Sequence, residues 1–427
     1  MRFSPDLNVQ RIPELLARFL AITGADPWIK RYRSLRSEMQ ANPLLRPYFA
    51  ERHGLELRLG QILTGERKRP DPADPGDYAL LSFVAMVVLI YDRLTDLGKK
   101  RVAGSLRDGL NSTDRGLRPF KAEIETVTHL MGKGFDVSFQ DIDHGGGFDF
   151  LATRDGIELE VECKSVSGDL GRQIHHRRMI GLSWYVWPIV QPRLASLDGG
   201  RLIRVLLPAR LHGRPELLEE IAETTRSVLH TGTSVSTDAC SVESREFDLA
   251  GTPFGSTDPT AVTQDAVQDL LDRELGHGSH HVFFGFRPGR SVVALAVESR
   301  KPDSVVGGLM RDLKTAAKTQ FTGERPAVLV VQFLELSAAN LLELASHDTT
   351  DPTKAPALQL ASNLFFENPA RSHIHTLIYR AQSELRVSVA TSADRVDRHY
   401  QEQGPTYGFK NPNHPLRNDP RYSLFPA

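Results

Sequence analysis

Apolar residues recur at helical spacing through the first quarter of the chain, then switch to strand-like alternation. Ile12, Leu15, Leu16, Phe19 and Leu20 mark one amphipathic helix, and Trp28, Tyr32, Leu35 and Met39 mark another. Residues 78–97 begin apolar almost all round, which predicts a helix at the centre of its domain. The stretch 69–76, rich in Pro, Asp and Gly, is a breaker, and the polar turn formers of 108–116 close the region. A helical N-terminal domain over 1–116 is expected.

Beyond it strands and helices alternate. Residues 117–132 read as a helix, 135–139 as a strand, and 148–153 and 157–164 as two strands joined by the turn Arg154-Asp155-Gly156. A basic helical stretch follows from about Asp169, and 202–207 has the look of a buried strand. The expectation is an α/β core of order αβββαβ with a mixed sheet over 117–210. Residues 211–394 predict further α/β elements: helices near 216–229, 261–275 and 303–321, and strands at 281–286, 292–299, 328–334, 373–379 and 385–390. The region 395–427, aromatic and rich in Pro and Asn, has no periodicity and reads as an irregular tail.

Composition narrows the function classes. A chain of 427 residues with 40% hydrophobic and 25% charged residues is an ordinary globular one. Lys and Arg number 52 against 53 Asp and Glu, so no global positive field draws in nucleic acid. Two cysteines, Cys163 and Cys240, are too few for a disulfide framework or a thiolate zinc site. The start MRFSPDLNVQ lacks a signal-like apolar region, and the apolar run 79–90 is too short to span a bilayer. A soluble, cytoplasmic protein without membrane association is expected. Dinucleotide fingerprint, P-loop, HExxH and GxSxG motifs are all absent, so no organic cofactor site is expected. His175-His176 and His280-His281 are adjacent pairs that cannot share a face, and read as surface residues or phosphate contacts.

The segment Ile157-Glu-Leu-Glu-Val-Glu-Cys-Lys164 carries the chemistry. Ile157, Leu159, Val161 and Cys163 point one way and Glu158, Glu160, Glu162 and Lys164 the other. Three carboxylates in a row repel one another unless a cation is near. Across the hairpin, Asp149 between Phe148 and Phe150 is set to meet Glu162, giving two hard oxygen ligands for a magnesium ion. Lys164 beside them suits positioning of a water and neutralisation of developing charge. In the preceding helix the apolar stripe is Phe120, Ile124, Val127 and Met131; Glu123 lies roughly 70° from its middle and Glu125 about 130°. Glu123 is therefore expected to face the sheet edge, and Glu125 solvent. Cys163 reads as a small core residue. A second acidic-x-Lys triplet, Glu66-Arg67-Lys68, sits in a polar loop without alternation and is set aside.

The helix with Glu123, then Asp149, then Glu162-Cys163-Lys164 resembles the PD-(D/E)XK nuclease superfamily, the restriction-endonuclease-like fold. Phe148 stands where the motif's proline is expected. The resemblance covers about 117–207. It implies a Mg2+-dependent endonuclease or phosphodiesterase acting on nucleic acid, DNA favoured over RNA, with Mn2+ able to substitute. It implies metal binding by Asp149, Glu162, the main-chain carbonyl of Cys163 and Glu123, and catalysis by Glu123, Asp149, Glu162 and Lys164. The alternative is a catalytically degenerate nucleic-acid-binding or assembly module of the same fold. Homo-oligomerisation is left open.

Past Lys164, Arg172, Gln173, His176 and Arg177 are candidates for nucleic-acid contact at a basic helix start. In the front domain Lys30, Arg31, Arg33 and Arg36 form either a backbone-tracking surface or a solvated face. Val297-Glu298-Ser299-Arg300-Lys301 echoes the pattern around Glu162, through either a degenerate second unit or, the favoured reading, one larger mixed sheet.

Overall fold

A computed structural model describes residues 11–72, 74–112, 116–144, 147–167, 169–257, 270, 273–276, 281–334, 341–342, 344, 356–381, 384–392, 395–403, 406–422 and 424. The N-terminal elements are helices: α1 (Ile12–Thr23), α2 (Asp26–Ala41), α3 (Arg46–Arg52), α4 (Gly54–Leu63), α5 (Pro75–Tyr91) and α6 (Asp96–Asn111). Next come α7 (Arg118–Gly132), β1 (Asp136–Phe139), β2 (Phe150–Arg154) and β3 (Ile157–Val166). Then follow α8 (His176–Ser196), β4 (Gly199–Leu207), α9 (Pro215–Thr231), β5 (Val235–Ser236), β6 (Ser241–Phe247), β7 (His281–Arg287) and β8 (Ser291–Ser299). The remainder comprises α10 (Val305–Thr319), β9 (Ala327–Phe333), α11 (Ala357–Phe366), β10 (Ile374–Arg380), β11 (Glu384–Ser392), β12 (Arg395–Gln403) and β13 (Thr406–Lys410). The helix predicted over 261–275 lies largely outside the described residues.

Local chemistry explains several of these elements. Helix α5 starts where the Asp74 side chain accepts the N–H groups of Gly76 and Asp77, with Pro75 in the first turn. Its Leu80, Leu81, Phe83, Val84, Val87 and Ile90 are fully buried, as its all-round apolarity predicts. Between β2 and β3, Asp155 and Gly156 take φ of 50° and 73°. That is the two-residue turn whose twist matches the flanking strands.

The chain divides into two compact units. The first comprises Met1–Ser34, Arg52–Leu170 and Val305–Ala427. It holds a sheet of order β1-β2-β3-β9-β10-β13. Strands β1, β2 and β3 are antiparallel neighbours; β3, β9 and β10 run parallel; β13 is antiparallel to β10. On one face Ile157, Leu159, Val161, Cys163, Val328 and Val330 pack with Phe120, Ile124 and Val127 of α7 and the buried side of α5. On the other, Leu329, Val331, Leu377 and Tyr379 pack with Leu309 and Leu313 of α10 and Leu358 and Phe365 of α11. Helices therefore cover both faces, and every residue of β9 is buried, as befits a strand between two parallel neighbours. β11 and β12 form a separate two-stranded ribbon.

The second unit comprises Leu35–Glu51 and Gly171–Ser304. Its sheet has the order β5-β6-β4-β8-β7, with β4 and β8 parallel and the other pairs antiparallel. Helix α8 packs along β7 and β8, and α9 along β4, β5 and β6. Among the described residues no helix is long and apolar enough to cross a membrane.

The protein is thus α/β with mixed sheets, but four expected boundaries are corrected. The strand at 202–207 does not continue the sheet begun by β1–β3. As β4 it pairs with β6 and β8, while β9 takes the place beside β3. Residues 211–394 are divided between the units, and β8 lies outside the first unit's sheet, so the single larger sheet is not formed. Residues 1–116 share their core with α7 and the sheet, except that Leu35–Glu51 belongs to the second unit. The tail is not irregular: it supplies β12 and the edge strand β13, where Thr376 to Arg380 pair with Lys410 to Thr406.

Candidate active site

The β2–β3 ladder runs as far as Phe150 opposite Val161. Asp149 and Glu162 are the next residues beyond this last pair. Here the backbone N–H of Cys163 donates to Asp149 Oδ2 at 2.6 Å. The Asp149 and Glu162 carboxyls lie within hydrogen-bonding reach of each other, and Lys164 is near enough to act on both charges. Glu123 of α7 is half-buried and close enough to feel Asp149 and to act on Glu162. All four residues singled out from the sequence thus enter one electrostatic cluster.

Its acids are held above their ordinary range. Burial pushes Glu123 up to about 8, with the charges of Asp149 and Asp141 adding to it. Burial also raises Glu162, and Asp149 adds to the rise while Lys164 opposes it. Asp149 is raised by burial too, against the pull of the Cys163 N–H. Carboxylates in this state lack compensation. Glu162 is only 5% exposed and its Oε2 is buried without a hydrogen-bond partner.

Asp141 was missed by sequence reasoning. It lies in a π-helical turn, Gln140–His144, directly after β1, and it acts on Glu123, Asp149 and Glu162 alike. The available signal was faint: an acidic residue just past the strand that pairs with the one following Asp149.

Among the described residues no three His, Cys, Asp or Glu side chains converge as a finished metal-binding set. The donor chemistry nonetheless suits a hard divalent cation: clustered carboxylate oxygens, two of them, on Glu162 and Asp141, buried and unsatisfied. Cys163 itself faces the core, where burial drives its thiol well above the usual range, so it contributes packing rather than a reactive group.

The rest of the acidic row on β3 is satisfied otherwise. Glu160, fully buried, accepts from the N–H of Thr322 at 2.9 Å and from the Thr322 hydroxyl. Arg325 lies 2.6 Å from Glu158 and 3.5 Å from Glu160. Only Glu162 is left for the cluster. The expectation for Glu125 is corrected: rather than facing solvent, it is 10% exposed and ion-paired with Lys121 at 3.0 Å and Arg380 at 3.8 Å. Arg380 comes from β10, which covers that side of α7.

Arg172, Gln173, His176 and Arg177 belong to the second unit. The N–H of Gln173 donates to Asp303 at 2.7 Å, and its side-chain amide to the Pro302 carbonyl. His176, the first residue of α8, stacks on Tyr48. Arg177 is exposed. In the front region Arg31 is buried, bonded to His53 and to the Ser112 carbonyl, and so leaves the proposed basic surface. Glu298, the echo of Glu162, is paired with Arg204 at 2.8 Å. Glu66 accepts the Tyr32 hydroxyl, and Arg67 pairs with Asp77.

No protein-family model matches the chain, and no curated protein or solved structure matches it either.

Proposed function

We propose that the chain is a metal-dependent nuclease with a PD-(D/E)XK-like core, hydrolysing phosphodiester bonds in nucleic acid, DNA rather than RNA. One observation carries this reading above the others. A buried Glu162 oxygen without a partner lies in a cluster with Asp149, Glu123 and Lys164. The topology adds support once residues 171–304 are taken as an insertion. The order is then α7, β1, β2, β3, α10, β9, an αβββαβ sequence in which β9 lies parallel beside β3.

Asp149, Glu162 and the Cys163 carbonyl would hold Mg2+ or Mn2+, with Glu123 binding directly or through water. A bound divalent cation supplies positive charge against the phosphate oxygens. Lys164, next along the same face of β3, would orient the attacking water by hydrogen bond as an ammonium; the proton that water gives up passes to a carboxylate of the cluster or to solvent, and the leaving oxygen takes one from solvent. As the water oxygen bonds to phosphorus and the P–O ester bond breaks, the ammonium offsets charge gathering on the phosphoryl oxygens. The Cys163 N–H fixes the Asp149 carboxylate during this step.

A second reading, a binding module that has lost catalysis, is favoured by the lack of a finished ligand set among the described residues. One experiment separates the two. Purified protein and Lys164→Ala are assayed on plasmid and single-stranded DNA with Mg2+ or Mn2+, beside DNA binding in Ca2+. The nuclease reading expects wild type to cut and Lys164→Ala to lose about two orders of magnitude or more. DNA affinity should hardly change, since one lysine is a small part of a phosphate-binding surface. If both proteins bind DNA and neither cuts in either metal, the binding module is correct.

A further inference from the structure

The π-helical turn Gln140–His144 is held in place by contacts that leave one carboxylate oxygen unmatched. Its first residue is tied to the cluster, for the N–H of Gln140 donates to the carbonyl of Asp149 at 2.9 Å. Arg101 of α6 donates Nη1 to the Asp141 carbonyl and, at 2.9 Å, to that of Ile142. The Thr95 hydroxyl, at the start of the same helix, donates to Asp143 at 2.5 Å. The backbone is pinned from both sides. The Asp141 carboxyl receives the backbone N–H groups of Ile142 and of Asp141 itself, while its Oδ1 is buried without a partner. A buried acceptor left unmatched is costly, the more so when it is charged. The same defect occurs at Glu162 Oε2, on a side chain only 5% exposed.

We propose that Asp141 is a further carboxylate ligand of the divalent-cation site, so that the site is built from the π-helical turn as well as from α7, β2 and β3. This rests on the metal-dependent reading above. Four carboxylates suit a hard ion that takes six or more oxygens and completes its shell with water and phosphate. A π-helical turn is a costly backbone form that recurs at functional sites, and here it brings Asp141 in beside the end of β1.

The test is Mn2+ binding to the full chain by calorimetry, comparing wild type, Asp141→Asn and Asp143→Asn, with folding checked by circular dichroism. Asp143, already taken by Thr95, is the control. Asp141→Asn should weaken Mn2+ affinity at least tenfold, and Asp143→Asn less than about threefold. If Asp141→Asn does not fold, Asp141→Ser answers the same question, because the backbone contacts of Arg101 and Gln140 do not need the carboxylate. Wild type and the Asp141 variant binding Mn2+ equally would overturn this proposal and leave the nuclease reading standing. Wild type binding no divalent cation overturns both.

Discussion

Removing the charge of Glu123 should stabilise the metal-free protein, and only at high pH. Its carboxyl is pushed from an ordinary 4.5 up to about 8, by burial first and then by Asp149 and Asp141. The folded state therefore binds its proton more tightly than the unfolded chain does. Stability from this group is intact below pH 4.5 and is lost as pH rises towards 8. At 1.36 kcal/mol per pH unit, the ceiling is about 5 kcal/mol. Glu123 is only half-buried, so water screens part of that, and its neighbours share the protons of the cluster. About 2 kcal/mol is expected for Glu123→Gln at pH 8.5, falling to within about 0.5 kcal/mol at pH 5. Urea unfolding in EDTA at the two pH values measures it. With saturating Mg2+ the advantage should vanish, because a bound cation relieves the same repulsion in wild type. A variant that is equally or less stable at pH 8.5 in EDTA, or an advantage that does not depend on pH, would refute the reasoning.

Glu125→Gln should behave in the opposite way. Loss of the ion pairs with Lys121 and Arg380 should destabilise the protein by about 1–2 kcal/mol at pH 7 and at pH 8.5 alike, again by urea midpoint. His414 supplies an acid-side prediction. Its Nδ1 accepts the Leu416 N–H, and burial, with His375 and His373 nearby, holds it down at about 4. The unfolded chain takes up this proton near pH 6.5, so stability present above that value is lost as pH falls towards 4. His414→Gln should flatten the fall in urea midpoint over that range.

The hairpin carrying the candidate site could be read directly because every signal in it is local. The alternation from Ile157 to Lys164 needs no partner to be seen, and Asp155-Gly156 names its own turn. The apolar girth of α5 likewise announces burial without saying against what. Pairing could not be read. Residues 202–207 and 327–333 are both buried-strand patterns, and nothing in either says which will lie beside β3. Glu160 looked like a third repelling carboxylate because its donors, Thr322 and Arg325, sit far along the chain. Glu125 was misjudged because a helical wheel assumes one packed side, whereas Arg380 closes over another. Strand β13 hid because an edge strand of mixed exposure carries no clean period. Asp141 hid because a single acid after a short strand is unremarkable until its neighbours are known.

The length of chain between β3 and β9 bears on how the protein is made. Glu162 pairs with Leu329, so β3 leaves the ribosome long before the strand that will cover its open side. Residues 171–304, the larger part of the second unit, must be synthesised in the interval. Loop closure over such a distance adds little to the final free energy, since its entropy grows only with the logarithm of length. It does slow assembly, and it leaves a bare strand edge in the meantime. Such an edge invites pairing with other chains unless something repels them. On β3 that edge carries the charges of Glu158, Glu160 and Glu162, and Arg325, which pairs with the first two in the folded protein, is made only with the stretch that leads into β9. Clustered like charge disfavours pairing with an identical strand, so the row that leaves Glu162 in the electrostatic cluster also makes this edge a poor partner for its own copy while it stands bare.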